Sequence, residues 1–184
     1  MRILVLGAGG TGGYFGGRLA QAGVDVTFLV RPARAEQLAR DGLVIESPLG
    51  DARLAVACVT AEALPALAAQ RPFDLVLLSC KAYDLDSSLD AIAPAVGPDT
   101  TVLPILNGLL HYAALDARFG ADRVLGGLCF ISAMKGERGQ IVHLGKPASI
   151  TFGERDGGGD TPRVQALAAV LAPAGVRDGA RGAI

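Results

Sequence analysis

A glycine-rich motif near the N-terminus has the spacing of a phosphate-binding turn. Gly7-Ala8-Gly9-Gly10-Thr11-Gly12 reads G-x-G-x-x-G and directly follows the apolar run Ile3–Leu6. The run is typical of a buried strand, and the residues from Tyr14 to Ala22 have the composition of a helix. The chain has 25 glycines, so the spacing alone says little. Its position between a strand and a helix is what indicates a dinucleotide site.

Each glycine of the motif has a predicted task. Gly7 allows the tight turn, Gly9 lets a pyrophosphate approach the backbone, and Gly12 lets the helix lie close to the strand. The start of the helix offers free N–H groups and a partial positive charge to the phosphates. We therefore expect residues 7–12 to hold the pyrophosphate. The alternative is an ordinary glycine-rich turn.

The end of the second predicted strand indicates which dinucleotide binds. An NAD site usually has Asp or Glu there for the ribose 2′-hydroxyl, but this strand ends in Arg31. Arginine suits a 2′-phosphate through charge-assisted hydrogen bonds, so the expected cofactor is NADPH. Arg34 follows one helical turn later. Arg31 could instead be a solvated surface charge, and for Arg34 both interpretations stay open.

Two more polar positions follow the ends of predicted strands. Lys81 comes after the run DLVLLSC, and Asn107-Gly108 comes after LPIL. Open α/β sheets bind ligands beyond the carboxyl ends of their strands, so both positions are candidates for contact with cofactor and substrate. Alternatively, Lys81 is a surface charge at the start of a helix and Asn107-Gly108 is a turn.

Alternation of apolar runs with helical segments predicts the fold class. It is an α/β, Rossmann-type, doubly wound and mostly parallel sheet with helices on both faces. After residue 123 come a few further strands that can pair antiparallel. The predicted strands are 3–6, 24–30, 43–46, 53–59, 73–79, 101–105, 124–132, 140–144 and 148–152, with turns at 135–139 and 145–147. The predicted helices are 14–22, 32–40, 61–69, 85–93, 109–119 and 161–171.

Composition excludes several classes of protein. Half of the 184 residues are hydrophobic and 19% are charged, which disfavours disorder, and the net charge of −1 offers no basic face for nucleic acid. No apolar run is long enough for a membrane span. Cys58, Cys80 and Cys129 match no metal-binding spacing. Cys58 and Cys80 end apolar runs and are expected to be buried, reduced packing residues, which fits a cytoplasmic protein. No metal site is predicted.

The motifs taken together resemble the ketopantoate reductase (2-dehydropantoate 2-reductase) family, and specifically its N-terminal NADP-binding domain. The matching segments are GAGGTG at 7–12, Arg31, Lys81-Ala82-Tyr83, Asn107-Gly108 and Gly139-Gln140-Ile141-Val142-His143. The resemblance implies reduction of ketopantoate to pantoate with NADPH in pantothenate biosynthesis. It also implies cofactor contacts at Lys81, Asn107 and Ala133, and contacts to a 2-keto acid substrate at Lys81 and Asn107. His143 is interpreted as structural, and no role is assigned to His111.

The resemblance also indicates what this chain lacks. In the family, the general-acid lysine lies in a helical C-terminal domain, so no residue of this chain is assigned as catalytic. We expect an NADP-binding domain over 1–172 and, over 173–184, a truncated linker toward that absent domain. The chain alone is expected to be inactive, and an apolar surface left without its partner domain would favour a homodimer. The alternatives are an NADP(H)-binding module without turnover and a reductase of another 2-keto acid.

Overall fold

The computed structural model describes residues 1–157, 159–174 and 177–178. It is built from strands and helices that alternate over the first two thirds of the chain. In chain order, these are β1 (Arg2–Leu6), α1 (Gly10–Gln21), β2 (Asp25–Leu29), α2 (Pro32–Asp41), β3 (Leu43–Glu46), β4 (Ala52–Leu54), β5 (Ala57–Val59), α3 (Leu64–Gln70), β6 (Leu75–Leu78), α4 (Leu85–Ile92), β7 (Thr101–Pro104), α5 (His111–Phe119), β8 (Gly126–Lys135), β9 (Ile141–Gly153), α6 (Pro162–Leu171) and β10 (Arg177–Asp178). Short 3-10 helices lie at 82–84, 93–95, 121–123 and 172–174.

The first sheet has the predicted parallel, doubly wound topology. Its strand order is β5-β2-β1-β6-β7, and all of its pairings are parallel. The chain moves outward from β1 through β2 to β5 and then returns to the other side of β1 with β6. The order therefore reverses between β1 and β6, and such a switch point is where open α/β sheets bind ligands.

A second sheet contains the later strands. Its order is β10-β9-β3-β4, and β8 pairs antiparallel with β9. The antiparallel pairing predicted for the late strands is thus confirmed. The sheet also takes in β3 and β4 from the first part of the chain, which the sequence placed in the parallel sheet.

Alternating residues of β1 face two different cores. Ile3 and Val5 pack with α1, α6 and the second sheet, whereas Leu4 packs with α3, α4 and α5. All three side chains are fully buried. Apolar residues on both faces are what a strand in the middle of a parallel sheet requires, and helices therefore cover both faces of the sheet.

Two predicted strand boundaries are wrong. Residues 53–59 do not form one strand: β4 belongs to the second sheet and β5 to the first. Residues 140–144 and 148–152 are not separate strands but one strand, β9. The turn predicted at 145–147 is a bulge in it, because Ile131 pairs with Ala148 while Ala133 already pairs with His143.

Helix α1 begins four residues earlier than predicted, at Gly10 instead of Tyr14. Glycine disfavours helices, but tight packing against neighbouring backbone requires it here, as described below. The linker predicted over 173–184 includes part of the 3-10 helix at 172–174 and β10, and its remaining residues lie outside the described part. Across residues 1–157, 159–174 and 177–178, no helix combines the length and the apolar character needed to cross a membrane.

Candidate functional site

The predicted site residues follow four consecutive strands of the parallel sheet. Arg31 follows β2, the glycine turn follows β1, Lys81 follows β6 and Asn107 follows β7. Parallel strands end at the same edge, so these four segments lie along one edge in that order. With neighbouring strands about 4.8 Å apart, the row extends over roughly 14 Å.

The glycine turn has the local geometry that its sequence predicts. Gly7 has a φ of 83°, which only glycine adopts easily, and its N–H donates to the carbonyl oxygen of Leu29 over 2.8 Å. A Cβ atom on Gly12 would lie 2.6 Å from the Gly7 carbonyl oxygen and would also clash with the Ser79 hydroxyl. A Cβ atom on Gly9 would meet no atom within 4 Å. The turn is thus packed tightly behind Gly12 and open in front of Gly9.

The N-terminus of α1 is available for an anion. Gly9 is its N-cap, and no side chain of the described residues caps it. The first N–H groups of a helix lack partners inside the helix, so they can donate to a phosphate placed there. Behind this end, Gly10 lies against the backbone of Ala133 on β8. Ala133 therefore lies beside the turn, and its contact with a cofactor stays a prediction.

The two arginines at the start of α2 differ in their contacts. Arg31 is exposed, and its side chain has no hydrogen bond or ion pair with another described residue. Arg34 is partly buried, and it donates from Nη2 to the carbonyl oxygen of Ala8 over 3.0 Å. Burial lowers the pKa of Arg34, with a small opposing effect from Cys58. Arg31 is thus the arginine that is unengaged at this edge.

Lys81 and Asn107 are both exposed, in the segments that follow β6 and β7. The two strands are paired, and the N–H of Ile105 donates to the carbonyl oxygen of Leu78 over 2.9 Å. Gly108 has a φ of 84°, so the Asn107-Gly108 pair does form a sharp bend. Both side chains are free of hydrogen bonds to other described residues and can therefore meet a ligand.

Comparison with known proteins identifies the family. A sequence model described as ketopantoate reductase PanE/ApbA matches residues 3–157. The chain belongs to this family. It is 42% identical over 167 residues to the uncharacterized oxidoreductase YkpB of Bacillus subtilis, a match that covers 91% of this chain and 53% of that protein.

Solved structures agree with the family assignment. The crystal structure of 2-dehydropantoate 2-reductase from Geobacter metallireducens superposes with a TM-score of 0.85 at 37% identity, covering 96% of this chain and 56% of that one. D-mandelate dehydrogenase, in a ternary structure with NADH and anilino(oxo)acetate, has a TM-score of 0.83 at 25% identity, covering 97% of this chain and 56% of that one. The chain thus spans little more than half the length of these relatives.

The histidine of the family motif has a structural position. His143 is 2% exposed, and its Nε2 lies 3.0 Å from the carbonyl oxygen of Pro147, across the bulge of β9. A carbonyl only accepts, so Nε2 donates to it, and Nδ1 lies 2.9 Å from the Ser47 hydroxyl. The ring also packs on Tyr14 of α1. These contacts connect the bulge to α1 and to the residue that follows β3, which fits the structural interpretation.

His111 is buried at the start of α5, with 4% of its surface exposed. Its Nε2 has no hydrogen-bond partner among the described residues, and its ring packs on Tyr112 with centroids 4.3 Å apart. Burial, and to a smaller extent Arg155, lowers the pKa of His111. Burial therefore favours the neutral form of this ring, which lies four residues after Asn107 in the chain.

The cysteines are reduced, as expected, but none of them is fully buried. Cys58, Cys80 and Cys129 are all partly exposed and unpaired. Burial nevertheless raises the pKa of each thiol. They therefore lack the lowered pKa of a reactive thiolate.

Two residues near the turn, Ser79 and Gln37, were not predicted from the sequence. The Ser79 hydroxyl donates to the carbonyl oxygen of Leu6 over 2.8 Å and lies against Gly12. Gln37 accepts from Arg34, and its own amide donates to the carbonyl oxygen of Arg138 over 2.9 Å. Arg138 lies in the turn between β8 and β9. The family motif that begins at Gly139 was the one feature of the sequence that indicated that this turn lies near the site.

Proposed function

We propose that this chain is the NADPH-binding domain of a reductase that converts 2-dehydropantoate to pantoate in pantothenate biosynthesis. The observation that carries the proposal is the open space at Gly9, before an uncapped helix N-terminus, with the unengaged Arg31 just after the adjacent strand β2. Membership in the ketopantoate reductase family supports it. We expect this activity in the cytoplasm.

The residues at this edge fit a dinucleotide. The N–H groups at the start of α1 would receive the pyrophosphate, and residues 7–12 would surround it. Arg31 would bind the 2′-phosphate, for which a guanidinium is better suited than for a ribose hydroxyl. D-mandelate dehydrogenase, a structural relative, holds NADH. The preference of this chain for NADPH is therefore itself part of the proposal, and it rests on Arg31.

Lys81, Asn107 and Ala133 would border the other half of the nucleotide. When bound, NADPH supplies the hydride for a keto carbonyl. Lys81 and Asn107 carry polar groups that can orient a 2-keto acid beside it. A proton donor for the carbonyl oxygen is also needed, and the family resemblance assigns that role to none of residues 1–184. We therefore propose that this chain binds the nucleotide without turnover.

A second candidate is the reduction of another 2-keto acid. It is favoured by the similarity to D-mandelate dehydrogenase, whose structure holds anilino(oxo)acetate. The described residues that would contact the substrate, Lys81 and Asn107, do not distinguish one 2-keto acid from another.

Calorimetric titration with NADPH and with NADH tests the proposal, with Gly9→Ala as the matched control. A Cβ atom at Gly9 has room in the free protein, but it would fill the space in which we propose that the pyrophosphate binds. We expect NADPH to bind the wild type more tightly than NADH, and Gly9→Ala to bind both at least about tenfold more weakly. Wild-type protein that binds neither nucleotide would contradict the proposal.

Turnover is tested in the same preparation. Addition of ketopantoate to the chain with NADPH should leave the absorbance of the reduced nicotinamide unchanged. Oxidation of NADPH would show that a proton donor lies within these residues, and Lys81 would then be the first residue to replace. A panel of 2-keto acids presented to a longer family member that includes this domain would separate the two candidate substrates.

A further inference from the structure

Arg34 connects helix α2 to the glycine turn through the two arms of its guanidinium. Its Nη2 donates to the carbonyl oxygen of Ala8 over 3.0 Å, and its Nη1 donates to Oε1 of Gln37 over 2.7 Å. Because the guanidinium is planar, the two hydrogen bonds together fix the orientation of the Arg34 side chain. Arg31, less than one helical turn earlier, has no comparable partner among the described residues. The orientation of Arg34 is therefore set by the protein itself.

The bond to Ala8 also determines the direction of the next N–H group. The carbonyl of Ala8 and the N–H of Gly9 belong to one peptide unit, which is planar and trans, since the described residues contain no cis peptide bond. The N–H of Gly9 therefore points away from Arg34 when the carbonyl points toward it. Ala8 is 4% exposed, so water cannot easily replace the guanidinium as a donor.

A third segment holds the two side chains in place. Gln37 donates from Nε2 to the carbonyl oxygen of Arg138 over 2.9 Å, in the turn between β8 and β9. Gly139 follows with a φ of 84°, and a Cβ atom there would lie 2.6 Å from Nη1 of Arg34. Glycine at this position lets the hairpin turn pack directly on Arg34 and Gln37.

We propose that Arg34 is a positioning residue for nucleotide binding, which fixes the Ala8–Gly9 peptide of the pyrophosphate turn and does not read the 2′-phosphate. This inference rests on the proposed function. It assigns different tasks to two arginines at the start of α2: Arg31, its N-cap, selects between the nucleotides, and Arg34 orients the turn that both nucleotides share.

Replacement of Arg34 by methionine distinguishes the two tasks. Met keeps most of the side-chain volume but neither donor, so Arg34→Met should weaken NADPH and NADH alike by about tenfold, as for the loss of a charge-assisted hydrogen bond. The ratio of the two dissociation constants should stay within about twofold of the wild-type ratio.

Gln37→Leu should weaken the binding of both nucleotides to a smaller extent, and its effect should largely disappear when Arg34 is already Met. Arg31→Ala is the control, because it should change the ratio.

A measurement without nucleotide keeps the inference separate from the proposed function. Amide hydrogen exchange of the free protein should be faster in Arg34→Met than in the wild type at Gly7 and Gly13, whose N–H groups donate to the carbonyl oxygens of Leu29 and Gly9. The thermal unfolding temperature is recorded as the folding control. Unchanged exchange there would overturn the positioning role whether or not a nucleotide binds. A selective loss of NADPH affinity in Arg34→Met would overturn it too. Failure of the wild type to bind either nucleotide would count against the proposed function alone.

Discussion

Gly10 at the start of α1 and Ala133 of β8 approach so closely that no side chain fits between them. A Cβ atom on Gly10 would lie 2.7 Å from the Ala133 carbonyl carbon and 2.9 Å from the Met134 Cα atom. These are backbone atoms of a strand that is paired with β9, so they cannot swing aside as a flexible side chain can. The antiparallel part of the molecule therefore supports the glycine turn directly.

The close approach predicts that alanine at Gly10 lowers the stability of the protein and that alanine at the neighbouring Gly9 does not. Gly10→Ala should lower the free energy of unfolding by about 1–3 kcal/mol, because the added methyl group overlaps backbone. Gly9→Ala should change it by less than about 0.5 kcal/mol, since a Cβ atom there meets open space. Urea denaturation of the two variants and the wild type measures both values. Equal stability of Gly10→Ala and Gly9→Ala would contradict the packing described for Gly10.

Arg31 should determine the preference between the two nucleotides. Its side chain is exposed and unengaged, so Arg31→Ala removes little from the folded protein. The affinity for NADPH should fall by about tenfold or more, as expected for loss of a charged hydrogen bond, while the affinity for NADH changes by less than about twofold. Titration calorimetry with each nucleotide measures the two constants.

A matched control for Arg31 lies on the same helix. Arg40 is exposed near the end of α2 and pairs with Asp41 over 2.9 Å. Arg40→Ala removes the same charge and should leave both affinities unchanged. Equal losses of NADPH and NADH affinity in Arg31→Ala would refute the 2′-phosphate assignment.

Local sequence predicted the parallel sheet well because each of its strands is a short apolar run followed by a helix. Leu75–Leu78, for example, is fully buried and apolar at every position, which few other structures allow. The second sheet was predicted less well. β3 pairs with β4 and with β9, about a hundred residues away, and nothing within β3 itself indicates the distant partner.

The site shows the same division between local and distant information. The spacing of Gly7, Gly9 and Gly12 encodes a turn whose conformation depends on neighbouring residues, so the sequence was sufficient to predict it. The contacts of Arg34 with Ala8, and of Gln37 with the hairpin at Arg138, join segments that are distant in the chain. Sequence alone left the role of Arg34 open for that reason.

His111 should make the stability of the protein depend on pH. Its pKa in the folded protein lies below the ordinary value of 6.5, mainly because the ring is buried. Between these two values the unfolded chain binds more protons than the folded one, so stability falls as the pH drops below 6.5 and is regained above it. His111→Phe keeps an aromatic ring on Tyr112 and should lose less stability between pH 7.5 and pH 5.5 than the wild type does.

The comparison isolates His111 because His143 is present in both proteins. Urea unfolding at pH 7.5 and at pH 5.5 gives the loss of stability for each protein. An equal loss in the wild type and in His111→Phe would show that this ring does not carry the acid sensitivity.

Tyr112 attaches helix α5, which follows Asn107 in the chain, to the second sheet. Its hydroxyl accepts a hydrogen bond from the buried N–H of Gly127 over 2.8 Å and so connects α5 to β8. Tyr112→Phe keeps the ring but leaves that N–H without a partner, which should cost about 1–3 kcal/mol in the free energy of unfolding. Tyr83→Phe is the matched control, since Tyr83 is 84% exposed and should cost less than about 0.5 kcal/mol. Urea denaturation of both variants measures the difference, and equal stabilities would mean that water replaces the Tyr112 hydroxyl at Gly127.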